Sequence, residues 1–175
     1  MQDAGRIGVL LGVDPGLANT GWALLDGESH IVACGTIRTS PGPTAPRLLE
    51  IVTRLKGILA AHPVAEAALE ELFCGRNATS AVAVAQARGA IMTALAEAGI
   101  PVLEYKPAQV KAVITGYGKA NKQQVLRVVG VQTSGSDRMD DHAADAAAIA
   151  VCHARSRRFR QLTSASSLGT GSRAR

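Results

Sequence analysis

The chain has 175 residues, 47% of them hydrophobic and 19% charged, the balance of a globular protein with room for one core and little room for a second domain. Lysine and arginine number 19 against 14 aspartate and glutamate, and the isoelectric point near 9.5 suits a polyanionic partner such as nucleic acid. Three cysteines without a CxxC spacing argue against a disulfide framework and a zinc site, and no secretory leader or membrane-spanning run is legible, so a cytoplasmic location with no membrane contact is expected.

The first apolar run, Ile7 to Val13, has strand length and ends at Asp14-Pro15-Gly16, where proline and glycine stop it and leave a carboxylate at the strand's C-terminal end. Thr20 to Leu25 and His30 to Ile37, separated by the turn-like Asp26-Gly27-Glu28-Ser29, read as antiparallel hairpin strands. Leu48, Ile51, Val52, Leu55, Ile58 and Leu59 recur at helical spacing between Arg47 and Ala61. Ala67 to Phe73 returns to strand, Thr79 or Ser80 can cap an alanine-rich helix reaching Ala98, and Val102 to Tyr105 is a short parallel strand after that crossover. Pro107 to Ile114 and Lys122 to Val129 read as short helices around Thr115-Gly116-Tyr117-Gly118-Lys119. A last helix spans Asp140 to Arg155, and the serine-, glycine- and arginine-rich residues 156–175 read as a disordered basic tail after a nuclease-like domain over 1–155. A hairpin of strands followed by alternating helix and strand predicts an α/β domain with a mixed five-stranded sheet flanked by helices.

Carboxylates stand where that fold does not want them. Asp14 ends a strand, Glu70 and Glu71 interrupt Ala67-Ala68-Leu69-Glu70-Glu71-Leu72-Phe73, and Asp141, His142 and Asp145 open an alanine-rich helix. Buried carboxylates are costly and repel one another, so several converging ones need a cation; hard oxygen donors suit Mg2+ or Mn2+. On the last helix, His142 with Asp145 or Asp141 with Asp145 share a face, and either pair could ligate. Asp140 is better read as a charge complementing the helix dipole. Glu70 and Glu71 point to opposite faces of a strand, so one of them is the ligand, and parity does not say which.

In order and spacing, Gly12-Val13-Asp14-Pro15-Gly16, Thr20-Gly21, Leu69-Glu70 before Phe73, Asn77-Ala78 with Gln86-Ala87-Arg88-Gly89, and Asp141-His142-Ala143-Ala144-Asp145-Ala146 resemble the RuvC Holliday-junction resolvases over about residues 7 to 155. The resemblance implies a ribonuclease-H-like fold, a homodimer, and metal-binding catalytic positions on Asp14, Glu70, His142 and Asp145. His142 departs from the commoner aspartate, and its imidazole shifts preference from Mg2+ towards Mn2+. The implied chemistry is symmetric nicking of two strands of a four-way junction in recombination and repair. Two metals per subunit, about 4 Å apart, would activate water and stabilise the leaving oxygen, giving 5′-phosphate and 3′-hydroxyl ends. His142 could alternatively act as a general base.

Lys111 and Lys122 match basic positions near the scissile phosphate, and Phe73 matches an aromatic near the junction centre. Lys119, Arg76, Lys106 and Arg88 are further candidate DNA contacts. Trp22 reads as packing. The Gly116-Tyr117-Gly118-Lys119 loop lacks Walker spacing, which argues against an ATPase. The helix from Thr79 to Ala98, with Ala81, Val82, Val84, Ala85, Ile91, Met92 and Leu95, is the candidate dimer face, and a RuvA/RuvB branch-migration complex is the implied partner. Another ribonuclease-H-like nuclease and a non-catalytic junction-binding protein are the alternatives.

Overall fold

The structure is a computed structural model that describes residues 8–72, 78–135 and 139–168, without the side chains of 78–80 and 161–168. Phe73 and Arg76 therefore lie outside the described residues. Five strands and five helices follow one another as β1 (Val9–Asp14), β2 (Asn19–Asp26), β3 (His30–Arg38), α1 (Thr44–Ala61), β4 (Val64–Glu70), α2 (Ala78–Glu97), β5 (Val102–Tyr105), α3 (Pro107–Thr115), α4 (Lys122–Gln132) and α5 (Asp141–Leu168).

The strands form one mixed sheet in the order β3-β2-β1-β4-β5. β1, β2 and β3 pair antiparallel, whereas β4 runs parallel to β1 and β5 parallel to β4. The expected mixed sheet with its antiparallel part at the start is what is observed.

Strand alternation divides the core in two. Leu11, Val13, Leu24, Ala67 and Leu69 face α1 and α2, where Ile51, Leu55, Ile91 and Leu95 complete a cluster. Leu10, Ala23, Leu25 and Ala68 face the other way, towards α3, α4 and the alanine-rich stretch of α5. Each fully buried leucine or isoleucine contributes roughly 1.5–3 kcal/mol by leaving water.

Alanine in α5 and glycine in the sheet answer the same demand. A Cβ added at Gly12 would collide with the main-chain carbonyl of Ala146 and stand 2.7 Å from the amide nitrogen of Ala150, and one at Gly21 would collide with the carbonyl of His142. The helix backbone thus lies directly on β1 and β2, a separation that larger side chains would prop open. This contact lays the N-terminal turn of α5 over the C-terminal end of β1.

Several element ends differ from the sequence expectation. α1 begins at Thr44 rather than Arg47, with Pro46 in the first turn, where a missing N–H breaks no helical hydrogen bond. β4 covers Val64–Glu70 rather than starting at Ala67, because its early residues pair with β1 from Val9 onward.

The largest correction concerns α5, which continues to Leu168 instead of ending near Arg155, so the tail expected over 156–175 is helical through 168. Two arginines read as tail are anchors, Arg157 standing 3.2 Å from Glu66 and Arg158 2.9 Å from Glu28, and just before them Arg155 donates to the Val113 carbonyl at 3.3 Å and to Gln132 at 2.6 Å. Such contacts hold polar turns in place without an apolar stripe. Among the described residues no helix is long and apolar enough to cross a membrane.

Gly12→Ala should cost about 3 kcal/mol, the upper end for overpacking, since the obstructing atoms are main chain. Gly57→Ala on α1, where an added methyl meets nothing within 4 Å, should instead stabilise by about 0.5–1 kcal/mol. Urea unfolding of both variants checks the pair; equal effects would contradict the close approach.

Candidate active site

β1 and β4 end side by side: Val13 pairs with Leu69 in parallel register, so Asp14 and Glu70 follow together on the face covered by α5. The first turns of α5 bring Asp145 over them. Asp14, Glu70 and Asp145 line a single cleft of about 280 Å³, shared with Lys111 of α3 and Lys122 of α4 and floored by Val110, Val125 and Ile149. Lys122 Nζ donates to Asp145 Oδ2 at 2.7 Å. His142 does not itself line this cleft; its Nδ1 stands 3.3 Å from Asp14 Oδ2.

Glu70 is therefore the carboxylate of its pair that reaches the cleft. Glu71 lines a neighbouring hollow of about 560 Å³ with Leu72, Lys106, Pro107 and Lys111. On the last helix His142 and Asp145 turn towards Asp14 and Lys122, while Asp141 is exposed. Lys119 is exposed on the α3–α4 loop and does not line the cleft.

Electrostatics mark the cleft as short of positive charge. Burial pushes the Asp14 carboxyl above its ordinary range; the hydrogen bond with His142 opposes this, and the nearby charge of Asp145 adds to it. Burial likewise raises Glu70, reinforced by Asp14 and Asp145 and opposed by Lys111. The Lys122 ammonium is held above its ordinary value chiefly by its bond to Asp145. Three carboxylates facing two lysines make a place where a further cation is favoured.

The start of α5 is fixed from the edge strand. Thr36 donates to Asp140 Oδ1 at 2.6 Å, Arg38 pairs with Asp140 Oδ2, and Asp140 Oδ1 in turn accepts from the Ala143 amide at 3.0 Å. These bonds hold the Asp140 carboxyl below its ordinary range. Asp140 is an N-terminal cap, and it orients the turn that presents His142 and Asp145. The partners Thr36 and Arg38 carried no signal in the sequence.

Arg88, a candidate DNA contact in the sequence, does not line the cleft. It is 8% exposed, its Nη1 donates to the Glu70 carbonyl at 2.8 Å and its Nη2 pairs with Glu104. The α2 residues expected at a dimer face also divide: Ile91 and Leu95 are fully buried against the sheet, whereas Val82 is 57% exposed. Trp22 packs with the α1–α2 cluster as expected.

Residues 10–153 match the family model described as crossover junction endodeoxyribonuclease RuvC. A curated crossover junction endodeoxyribonuclease RuvC from Roseiflexus sp. (strain RS-1) is 44% identical over 149 residues, covering 82% of this chain and 88% of that protein. The protein of the same name from Heliobacterium modesticaldum is 45% identical over 154 residues, covering 85% and 94%. Among solved structures, RuvC of T. thermophilus in complex with a Holliday junction substrate superposes with a TM-score of 0.81 at 32% identity, covering 87% of this chain and 96% of that one. A yeast mitochondrial Holliday junction resolvase shares the fold at a TM-score of 0.61 and 13% identity, covering 91% and 87%.

Because burial and like charges raise Glu70 above the ordinary 4.5, ionising it costs the folded state. The associated stability is fully present below 4.5 and is lost as the pH rises through the raised value. In metal-free buffer at pH 7, Glu70→Gln should therefore raise the melting temperature by a few degrees, and the gain should vanish below about pH 4. Calorimetry across that range checks the sign; a lower melting temperature at pH 7 would contradict it.

Proposed function

Since the chain belongs to the RuvC family of crossover junction endodeoxyribonucleases, we propose that it resolves four-way DNA junctions by hydrolysing one phosphodiester in each of two symmetric strands. The observation carrying this reading is the convergence of Asp14, Glu70 and Asp145, from two strand ends and one helix, in a cleft that also holds Lys111 and Lys122. In such a hydrolysis water adds to phosphorus and the bond to the 3′ oxygen breaks, leaving 5′-phosphate and 3′-hydroxyl ends.

The family is one of metal-dependent nucleases, and the donors at the cleft fit a divalent cation in chemistry: three carboxylates and an imidazole, with Asp14 and Glu70 held above their ordinary pKa partly by unbalanced negative charge. Among the described residues no three such groups stand close enough, as they lie, to enclose an ion, and Lys122 holds the cation position at Asp145. To hold a metal, Asp145 would give up its bond to the Lys122 ammonium. Asp14, Glu70, His142 and Asp145 are the residues that would hold it, as two ions per subunit, and the bound metal supplies Lewis acidity and a lowered pKa for water. The nitrogen donor of His142 favours Mn2+ over Mg2+.

The lysines do the complementary work. Lys111 and Lys122 balance the charge of the phosphodiester brought against the carboxylates, and Lys106 extends the basic wall along the neighbouring hollow. His142 is hydrogen-bonded to Asp14, from where it would turn inward as a ligand or take a proton. Phe73 is the contact proposed beside the junction centre, with Arg76 as a further DNA contact.

Selectivity for a four-way junction follows from two cleavage sites held at a fixed separation in a homodimer. The exposed stripe of α2 running through Val82, Gln86, Gly89 and Thr93 is the proposed face, with Gly89 at its middle leaving room for close helix packing. Action with a RuvA/RuvB branch-migration complex in the cytoplasm completes the reading.

A synthetic four-way junction, compared with duplex, single-stranded and RNA/DNA hybrid controls, tests it. Paired symmetric nicks are expected on the junction, faster with saturating Mn2+ than with saturating Mg2+ and reduced at least about 1,000-fold by Asp145→Asn, a loss of the order expected when a catalytic group is removed. Equal rates in the two metals would remove the role given to the imidazole. Binding without nicking in either metal would make the protein a junction-binding module.

A further inference from the structure

Glu70 is the last residue of β4 with a partner on β5, Tyr105. At a strand terminus the ladder no longer fixes the peptide, and a side chain there inherits whatever freedom the backbone has. The peptide joining Glu70 to Glu71 is held at both of its polar groups. Its amide, on Glu71, donates to the Tyr105 carbonyl at 2.8 Å. Its carbonyl, on Glu70, accepts from Arg88 Nη1 at 2.8 Å.

Arg88 reaches that carbonyl from α2, on the face of the sheet away from the cleft, and its second nitrogen is paired with Glu104 of β5. A nearly buried guanidinium is costly unless each side of it is satisfied. Here the planar fork spans a carboxylate on one strand and a main-chain oxygen on the next, a reach that a single ammonium does not match. The Glu70 carboxylate itself responds to burial, Asp14, Asp145 and Lys111, with Arg88 absent from these influences. The connection between Arg88 and Glu70 runs through backbone geometry rather than through charge.

We propose that Arg88 is a positioning residue for Glu70: it fixes the Glu70–Glu71 peptide from behind the sheet and thereby aims the carboxylate into the cleft. It also bolts the end of β4 to α2, the helix that offers its other side to the second protomer. The proposal rests on the reading of Glu70 as a metal-holding catalytic residue.

The decisive variant is the double substitution Arg88→Met/Glu104→Leu, which removes both charges so that neither is left buried and unpaired; apolar replacement of such pairs is often neutral for stability. Three measurements accompany the nicking rate: the melting temperature, the dissociation constant for the junction in EDTA, and Mn2+ affinity without DNA, read from the electron paramagnetic resonance of free Mn2+. The expected result is a folded protein with unchanged junction affinity, Mn2+ bound about 10-fold more weakly and kcat lowered about 10- to 100-fold, the usual scale for groups that orient ligands. Arg88→Lys should reproduce the loss in kcat despite keeping the charge.

A folded double variant with the Mn2+ affinity and kcat of the parent overturns the proposal. Should that variant not fold, Arg88→Lys decides alone: a fall in kcat at constant junction affinity supports the assignment, and an unchanged kcat overturns it. Failure of the parent protein to bind Mn2+ or nick the junction would instead sink the underlying reading of Glu70, which separates the two.

Discussion

The main chain of α5 lies against the main chain of β1 and β2, and the arrangement of the cleft depends on how little space that contact leaves. Glycine at 12 and 21 and alanine along the helix let the two backbones meet. Were they held apart by a layer of leucine-sized side chains, Asp145 would stand several ångströms further from Asp14 and Glu70, and His142 would lose its reach to Asp14. Thr36 and Arg38 of β3 then fix the helix in rotation by gripping Asp140. Packing sets the distance and the cap sets the aim.

Against this rigid frame the cleft is electrostatically unfinished. The fold spends stability to keep Asp14 and Glu70 close to each other and partly out of water, and it relieves them only in part, with Lys111 facing Glu70 and Lys122 bonded to Asp145. A hydrophobic floor of Val110, Val125 and Ile149 keeps the local dielectric low, which sharpens both the repulsion and the reward for a bound cation. The same crowding of negative charge that costs the fold stability is what a cation brought into the cleft would relieve.

Much of this was legible in the sequence, for a simple reason: a carboxylate in an apolar run is conspicuous wherever the fold later puts it. Asp14, Glu70 and Asp145 announced themselves in that way, and strand and helix periods placed the elements within a few residues, except at the C-terminal end of α5. The failures share a different cause. Whether Glu70 or Glu71 entered the cleft depended on strand register, which pairing with β1 and β5 decides. The arginines that continue α5 past residue 156 meet acids far away in sequence, Arg157 at Glu66 and Arg158 at Glu28. Arg88 read as a surface base because nothing local reveals that Glu104 and the Glu70 carbonyl will be waiting beneath it. Ile91 and Leu95 were assigned outward because α2 is apolar nearly all round, so its sequence does not say which side meets the sheet.

The two kinds of glycine contact in this molecule carry different genetic consequences. A methyl added at Gly8 would press on the side chain of Ala65, 2.8 Å away, an obstacle that a second mutation to glycine could remove. At Gly12 and Gly21 the obstacles include carbonyl groups of α5, which every amino acid possesses. No exchange of side chains elsewhere clears that space, so a search for suppressors of a substitution at either position would return revertants rather than compensating partners. Side-chain exchange can therefore retune the cleft, but not the backbone contact that places α5 above it.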